Sequence, residues 1–330
     1  MKAGTLLLTR CDVAALLTVE ECTEAVERAF KMYGEGKTQR PGVLGVHAQD
    51  GGFHIKAGVL QLDRSYFAAK INANFPENPK RLGLPTIQGV IVLSDAANGY
   101  PLAVMDSTEI TSQRTAAATA VAAKYLARPG SKTLSICGCG NQGRVSLRAL
   151  KSFFPLEQVF AYDVDSTQSE KFANDLSAEL GMSIKAVTQL DDAVPQSDIC
   201  VTCTPSRQFF LKPEHIAPGT FIAAVGADNE DKQELDPTLL RQSKVVADIL
   251  EQCATIGELH HALDQKLMMK EQVHAELGEV VAATKAGRTS SDEIIIFDST
   301  GMALQDVVSA AFVYEKAKNT GAGTTIELID

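Results

Sequence analysis

The sequence predicts an α/β protein with a mostly parallel, doubly wound sheet, and three observations carry that reading. A glycine-rich loop at Gly138 joins a short apolar run to an amphipathic helix, and from there to Phe297 short apolar runs alternate with helical segments. The preceding stretch, Gly42 to Ser94, carries consecutive β runs instead. Alternation implies parallel strands with helices on both faces, whereas consecutive strands imply an antiparallel sheet. At 330 residues the chain is long enough for two domains.

Taken in order, Thr18 followed by Glu21 has the spacing of a capping box, and the apolar pattern that follows to Tyr33 is helical. Strands are predicted at Val43–Val46, Phe53–Ala57, Tyr66–Ile71 and Gln88–Leu93, broken by Gly, Pro and Asn. Ser107–Ala127 reads as a long Ala-rich helix that ends before Pro129-Gly130 and bridges the two domains. Leu134, Ser135 and Ile136 then lead into Gly138, Gly140 and Gly143, a complete G-x-G-x-x-G, and Val145, Leu147, Ala149 and Leu150 open a helix. The first glycine makes the tight turn, the second admits a pyrophosphate, and the third lets helix and strand pack closely. Val159–Tyr162 forms the next strand, and Asp163 follows it twenty residues after Gly143, where an acid hydrogen-bonds an adenosine ribose. An Asp there repels a 2′-phosphate, so the expected cofactor is NAD(H) and the expected fold is Rossmann-type. Further on, Ser166–Leu180 is predicted helical, Ile184–Val187, Asp198–Thr202, Phe221–Val225, Val245–Ala247 and Ile294–Phe297 extended, and Gly301–Lys318 a last helix that returns to the first domain.

Composition narrows the function classes. A net charge of −10 leaves no basic surplus for nucleic acid or an anionic membrane. The three-Leu run near the N-terminus is too short for a signal peptide, and no stretch of about 18 apolar residues occurs; the expected location is the cytoplasm. Seven cysteines suggest reduced thiols. Cys137, Cys139, Cys200 and Cys203 do not read as a zinc site, since Cys139 lies in the phosphate loop and Cys200 and Cys203, three apart in an apolar strand, point to opposite faces. The adjacent His260 and His261 diverge on a predicted helix, so no metal is expected.

The informative charges are those out of place. Lys70 alternates with apolar neighbours in a strand, which calls for a partner or a function unless the strand is an edge. Arg114 begins an Ala-rich helix face that implies close approach of another group. Asp228 follows the strand FIAAVGA, at the edge of a parallel sheet where ligands bind.

With FAAKINANFPENP, LPTIQGVIVL, ITSQRTAAATAVAAKYLARP, GCGNQG, VGADNEDKQEL and FDSTGMALQD in this order, the chain resembles the ornithine cyclodeaminase/mu-crystallin family, which includes archaeal-type alanine dehydrogenase and ketimine reductases. The resemblance implies a Rossmann domain, residues 116–302, inserted into an α+β substrate-binding and dimerisation domain, residues 1–115 plus 303–330, and a homodimer. It places a substrate carboxylate on Arg40, Lys70 and Arg114, acid/base chemistry on Asp228 with Lys70, and nucleotide contacts on Thr86, Arg114, Gly138, Gly140, Asn141, Gln142, Gly143, Asp163 and Thr204. The implied activity is hydride transfer at the α-carbon of a small amino or imino acid. In ornithine cyclodeaminases a strand glutamate faces the distal amino group of ornithine, and here His54 stands in its place with Lys56 two residues on. Both share a face of the strand, directed either into the pocket or toward solvent or a dimer partner. Facing inward, they favour reduction of a small 2-oxo acid imine, a dicarboxylic one such as iminosuccinate among the candidates. Ornithine cyclodeamination and a mu-crystallin-like carrier role are the alternatives.

Overall fold

Thr9 and Thr18 each open a helix through a capping box, the hydroxyl accepting from the N–H of Asp12 or Glu21 and the acid accepting from the threonine N–H. The helices Arg10–Leu16 and Val19–Gly34 follow. The computed structural model describes residues 4–328. They fall into two compact units: one comprises the chain up to Arg114 and from Met302 onward, and the other is Thr115–Gly301. The helix Ser107–Leu126 runs from the first into the second.

The first unit is built on a seven-stranded sheet. Its strands are β1 (Thr5–Leu8), β2 (Gly42–Ala48), β3 (Gly51–Gln61), β4 (Ser65–Asn74), β5 (Ile87–Asp95), β6 (Pro101–Asp106) and the C-terminal strand Thr324–Ile326. Across the sheet they run C-terminal strand, β1, β6, β5, β4, β3, β2, and only β1 with β6 is parallel. The four β runs expected here are present and longer than their patterns. By contrast β1, β6 and the C-terminal strand had no distinct sequence signal, because each is short and held by distant partners, Leu6 opposite Ala103 and Thr5 opposite Ile326. β4 lies between β3 and β5, so Lys70 is on an interior strand and the edge reading falls. Tyr66, Ala68 and Lys70 are buried on one face of β4. The C-terminal helix Ala303–Thr320 covers that face. Tyr66 donates to Glu315 of this helix, and a Cβ on Gly58 of β3 would lie 2.9 Å from Leu304.

The second unit carries eight parallel strands: β7 (Thr133–Cys137), β8 (Gln158–Tyr162), β9 (Ile184–Val187), β10 (Ile199–Thr202), β11 (Phe221–Ala224), β12 (Lys244–Ala247), β13 (Ala275–Glu276) and β14 (Ile295–Asp298). Their order is β13, β12, β14, β11, β10, β7, β8, β9. The chain winds outward from β7 to β9, then returns to β10 on the other side of β7. This reversal opens a crevice at the carboxyl ends of β7 and β10, where open α/β sheets bind ligands. β10 and β11 are buried along their whole length, as strands covered on both faces must be.

β10 ends at Thr202, and Cys203 just beyond it still donates its N–H to the Cys137 carbonyl at 2.9 Å, while its thiol meets the carbonyls of Cys137 and Gly138 at 3.5 and 3.2 Å. One local expectation is corrected. The rings of His260 and His261 do not diverge. Their centroids lie 3.7 Å apart, because hydrogen bonds to the carbonyls of Gly257 and Lys232 hold both rings to one side. Among the described residues no group of three or more His, Cys, Asp or Glu could hold a metal ion, and no helix is long and apolar enough to cross a membrane.

Candidate active site

The loop between β7 and the helix Asn141–Phe153 shows why its glycines stand where they do. Gly138 turns at a φ of +108°, and a Cβ on it would lie 2.9 Å from the Cys203 carbonyl. On Gly143 a Cβ would meet the Gly138 carbonyl at 2.2 Å, so helix and loop close on each other only without a side chain. Gly140, the N-cap, faces open space. Asn141 and Gln142 form the first turn of the helix, where backbone N–H groups lack helical acceptors and favour an anion.

Asp163 stands just beyond β8, half-buried, and accepts from the N–H of Cys139 at 2.8 Å and of Asp165 at 3.1 Å. The loop's second residue thus holds the carboxylate at the crevice. A cavity of about 440 Å³ lies beside it, lined by Gly138, Gly140, Tyr162, Asp163, Val164, Cys203, Thr204, Pro205, Ser206 and Phe210. Val164 in this lining is 96% exposed. Cys139 is no nucleophile, as burial pushes its thiol up to about 12. Asp228, past the end of β11, is half-exposed and pairs with Lys232 at 2.6 Å.

The first unit holds a buried cation cluster. The Lys70 ammonium lies 2.8 Å from Asp306 Oδ1, the Arg114 Nε lies 3.2 Å from the same oxygen, and Arg114 Nη1 donates to Gln305 Oε1 at 3.1 Å. Lys70, Arg114 and Asp306 are 2%, 6% and 1% exposed, so water screens none of them. Burial, then Arg114, pushes the Lys70 ammonium down to about 7, with Lys56 adding to the effect and Asp306 opposing it. Burial works against an ionised Asp306, but Lys70 and Arg114 together hold its carboxyl below the usual range. Two cations share one oxygen of one carboxylate, while Asp306 Oδ2 and Gln305 Nε2 are buried without a hydrogen-bond partner among the described residues. Such a cluster can clamp a further small anion. Lys56, also buried, stands directly opposite Lys70 in the ladder, and His54, half-buried, stands opposite Asn72 on the same face.

A profile of the ornithine cyclodeaminase/mu-crystallin family matches residues 3–321. The alanine dehydrogenase of Archaeoglobus fulgidus is 41% identical over 323 residues, covering 98% of each chain. This chain belongs to the ornithine cyclodeaminase/mu-crystallin family. Its structure also resembles a solved archaeal alanine dehydrogenase dimer with bound NAD, at a TM-score of 0.94 and 40% identity over 98% of this chain and 99% of the other. The iminosuccinate reductase of Paracoccus denitrificans in complex with NAD+ follows at 0.88 and 33%, over 98% and 100%.

For this family member the fold brings some expected residues together and leaves others apart. Lys70, Arg114 and Lys56 converge, and Gly138, Gly140, Asp163 and Thr204 line one cavity. Arg40 is exposed on the loop before β2 and is not among the residues of the buried cluster. Thr86, half-buried before β5, accepts from the Phe75 N–H through its carbonyl. The sequence patterns above assign no role to Asp306. Its signal is an aspartate flanked at helical spacing by Leu304, Val307 and Ala310, where burial demands a cationic partner.

Proposed function

We propose that this chain is an NAD(H)-dependent oxidoreductase acting at the α-carbon of a small amino or imino acid. The observation that carries the reading is the buried Lys70–Asp306–Arg114 cluster in a chain that also has a complete dinucleotide loop. Gly138, Gly140, the first helical turn at Asn141 and Gln142, and Gly143 hold a pyrophosphate, Asp163 the ribose hydroxyls, and Thr204 the same nucleotide. The family resemblance assigns Thr86 and Arg114 to the nucleotide as well. The residues fit this cofactor: the loop is open at Gly140, closed at Gly143, and ended by a carboxylate that rejects a 2′-phosphate. When bound, NAD(H) gives or takes the hydride.

The chain's own groups bind and protonate. Lys70 and Arg114 clamp the substrate carboxylate; Arg40, exposed and outside their cluster, is left out of the clamp, and the acid/base role that the family resemblance gives Asp228 is to exchange a proton with the substrate nitrogen. A Lys70 that titrates near neutral pH can also hold or release a proton beside the clamped acid. Lys56 on the same buried face, with His54 beside it, supports a second carboxylate on the substrate and opposes a distal ammonium. Reduction of a dicarboxylic imine such as iminosuccinate is therefore favoured over ornithine cyclodeamination.

The exposed face of the first unit supports a homodimer. Leu44, Val46, Phe53, Val59, Ile71 and Val90 share one side of the sheet by register, and each is more than a third exposed. An apolar patch of that extent calls for a partner, and a second copy of the chain is the occupant we propose.

NADH absorbance followed with 2-oxo acids plus ammonia or methylamine, and with amino acids plus NAD, tests the function. Oxidation of NADH with oxaloacetate and ammonia is expected. Conversion of ornithine to proline and ammonia without any imine reduction would overturn the substrate assignment.

A further inference from the structure

Glu234 is fully buried, and its carboxylate gathers four donors from two loops. Oε1 accepts from Thr204 N–H at 2.6 Å and from the Thr204 hydroxyl at 2.8 Å; Oε2 accepts from the Thr202 hydroxyl at 2.7 Å and from Gly226 N–H at 3.0 Å. Thr202 ends β10, which leads to Thr204; Gly226 follows β11 and precedes Asp228. Beyond the strand ends no ladder partner remains for the N–H groups of Thr204 and Gly226, and one side chain supplies the acceptor for both. The fit is close, since a Cβ on Gly226 would lie 2.5 Å from the Glu234 carboxylate.

Glu234 is itself held from behind. Its N–H donates to Glu258 Oε1 at 2.7 Å and the Leu235 N–H to Oε2 at 3.1 Å, while the N–H groups of Glu258 and Leu259 donate to Asp298 at 3.2 and 2.8 Å. Three buried carboxylates, each taking backbone N–H groups of the next segment, form a strut from the end of β14 to the two loops.

We propose that Glu234 is a positioning residue, which locks the loop carrying Thr204 and the turn carrying Asp228 in one fixed relation. The inference rests on the proposed function for the roles of Thr204 and Asp228. Without the lock each loop keeps its residue but not its alignment, so NADH affinity and kcat suffer while the substrate clamp on Lys70 and Arg114 does not.

Glu234→Gln tests this, because the amide keeps the shape but turns an N–H₂ toward donors whichever way it faces. NADH affinity and kcat are each expected to fall by about tenfold to a hundredfold, the range for losing a hydrogen bond to a charged acceptor. KM for the imino acid should stay near the wild-type value. Gly226→Ala, which pushes the carboxylate aside without removing it, should give the same split and serves where Glu234→Gln does not fold. Wild-type NADH affinity in the folded variants, or a loss in which imino-acid KM worsens in step with kcat, would overturn the inference. NADH binding, read by fluorescence, tests the hold on Thr204 even if wild-type protein turns over none of the substrates offered; that second result would instead remove the proposed function.

Discussion

Lys70 is a cation kept where water does not reach it, so its proton is available near neutrality rather than near 10.5. Its folded-state value is depressed below the unfolded one. Between about 7 and 10.5 the unfolded chain therefore binds a proton that the folded chain has lost, and stability rises with pH across that window and is lost as pH falls through about 7. Lys70→Met should flatten this slope in denaturant unfolding measured at several pH values. The same titration acts on the proposed clamp: imino-acid KM should rise above about pH 7, while NADH affinity stays level. Lys70→Ala should abolish turnover and leave NADH binding nearly intact, as should Asp228→Ala. Wild-type rates in either variant would remove that residue from the site. The choice of cofactor that we propose for Asp163 rests likewise on one charge. NADH should bind much more tightly than NADPH, and Asp163→Ser should narrow the gap in fluorescence titrations; equal affinities in the unmodified protein would sink the assignment.

At the scale of elements, the phosphate loop works because strand, turn and helix touch without side chains between them. Gly143→Ala places a methyl 2.2 Å from the Gly138 carbonyl, so helix or loop must shift. A loss of about 1–3 kcal/mol in unfolding free energy is expected, the usual cost of overpacking. NADH binding should fall with it. The strut of carboxylates has the opposite pH signature to Lys70. Burial pushes the Asp298 carboxyl from 3.8 up to about 7, even though it accepts two backbone N–H groups, and the neighbouring Asp248 adds to the rise. Here the folded value is raised, so its contribution to stability is complete below about 4 and is lost as pH rises through about 7. Asp298→Asn should remove that decline from the pH profile of unfolding.

For the whole molecule, the exposed face of the first unit's sheet is where assembly is expected. Ile71 is 37% exposed at the middle of that face, on interior strand β4 and opposite Val90. Ile71→Lys keeps the strand ladder but puts a charge into the patch. Size-exclusion chromatography with light scattering should then report a monomer where the unmodified chain gives a dimer. A monomer for both would overturn a second copy as the occupant of this face.

What the sequence determined by itself is what a few neighbouring residues decide together. The capping box of Thr18 and Glu21 acts within one turn, the glycine loop within one strand-to-helix connection, and Asp163 through its place beyond a strand that follows directly. Sterics and hydrogen bonds at that range leave few other outcomes. Only the tertiary structure decided that Asp306, 236 residues away, neutralises Lys70, that Lys56 shares the buried face with it, and that Glu234 joins two loops. These depend on strand register and on which helix covers which face. A slip of one residue would turn every side chain of a strand the other way, so the site exists only once the sheets have closed.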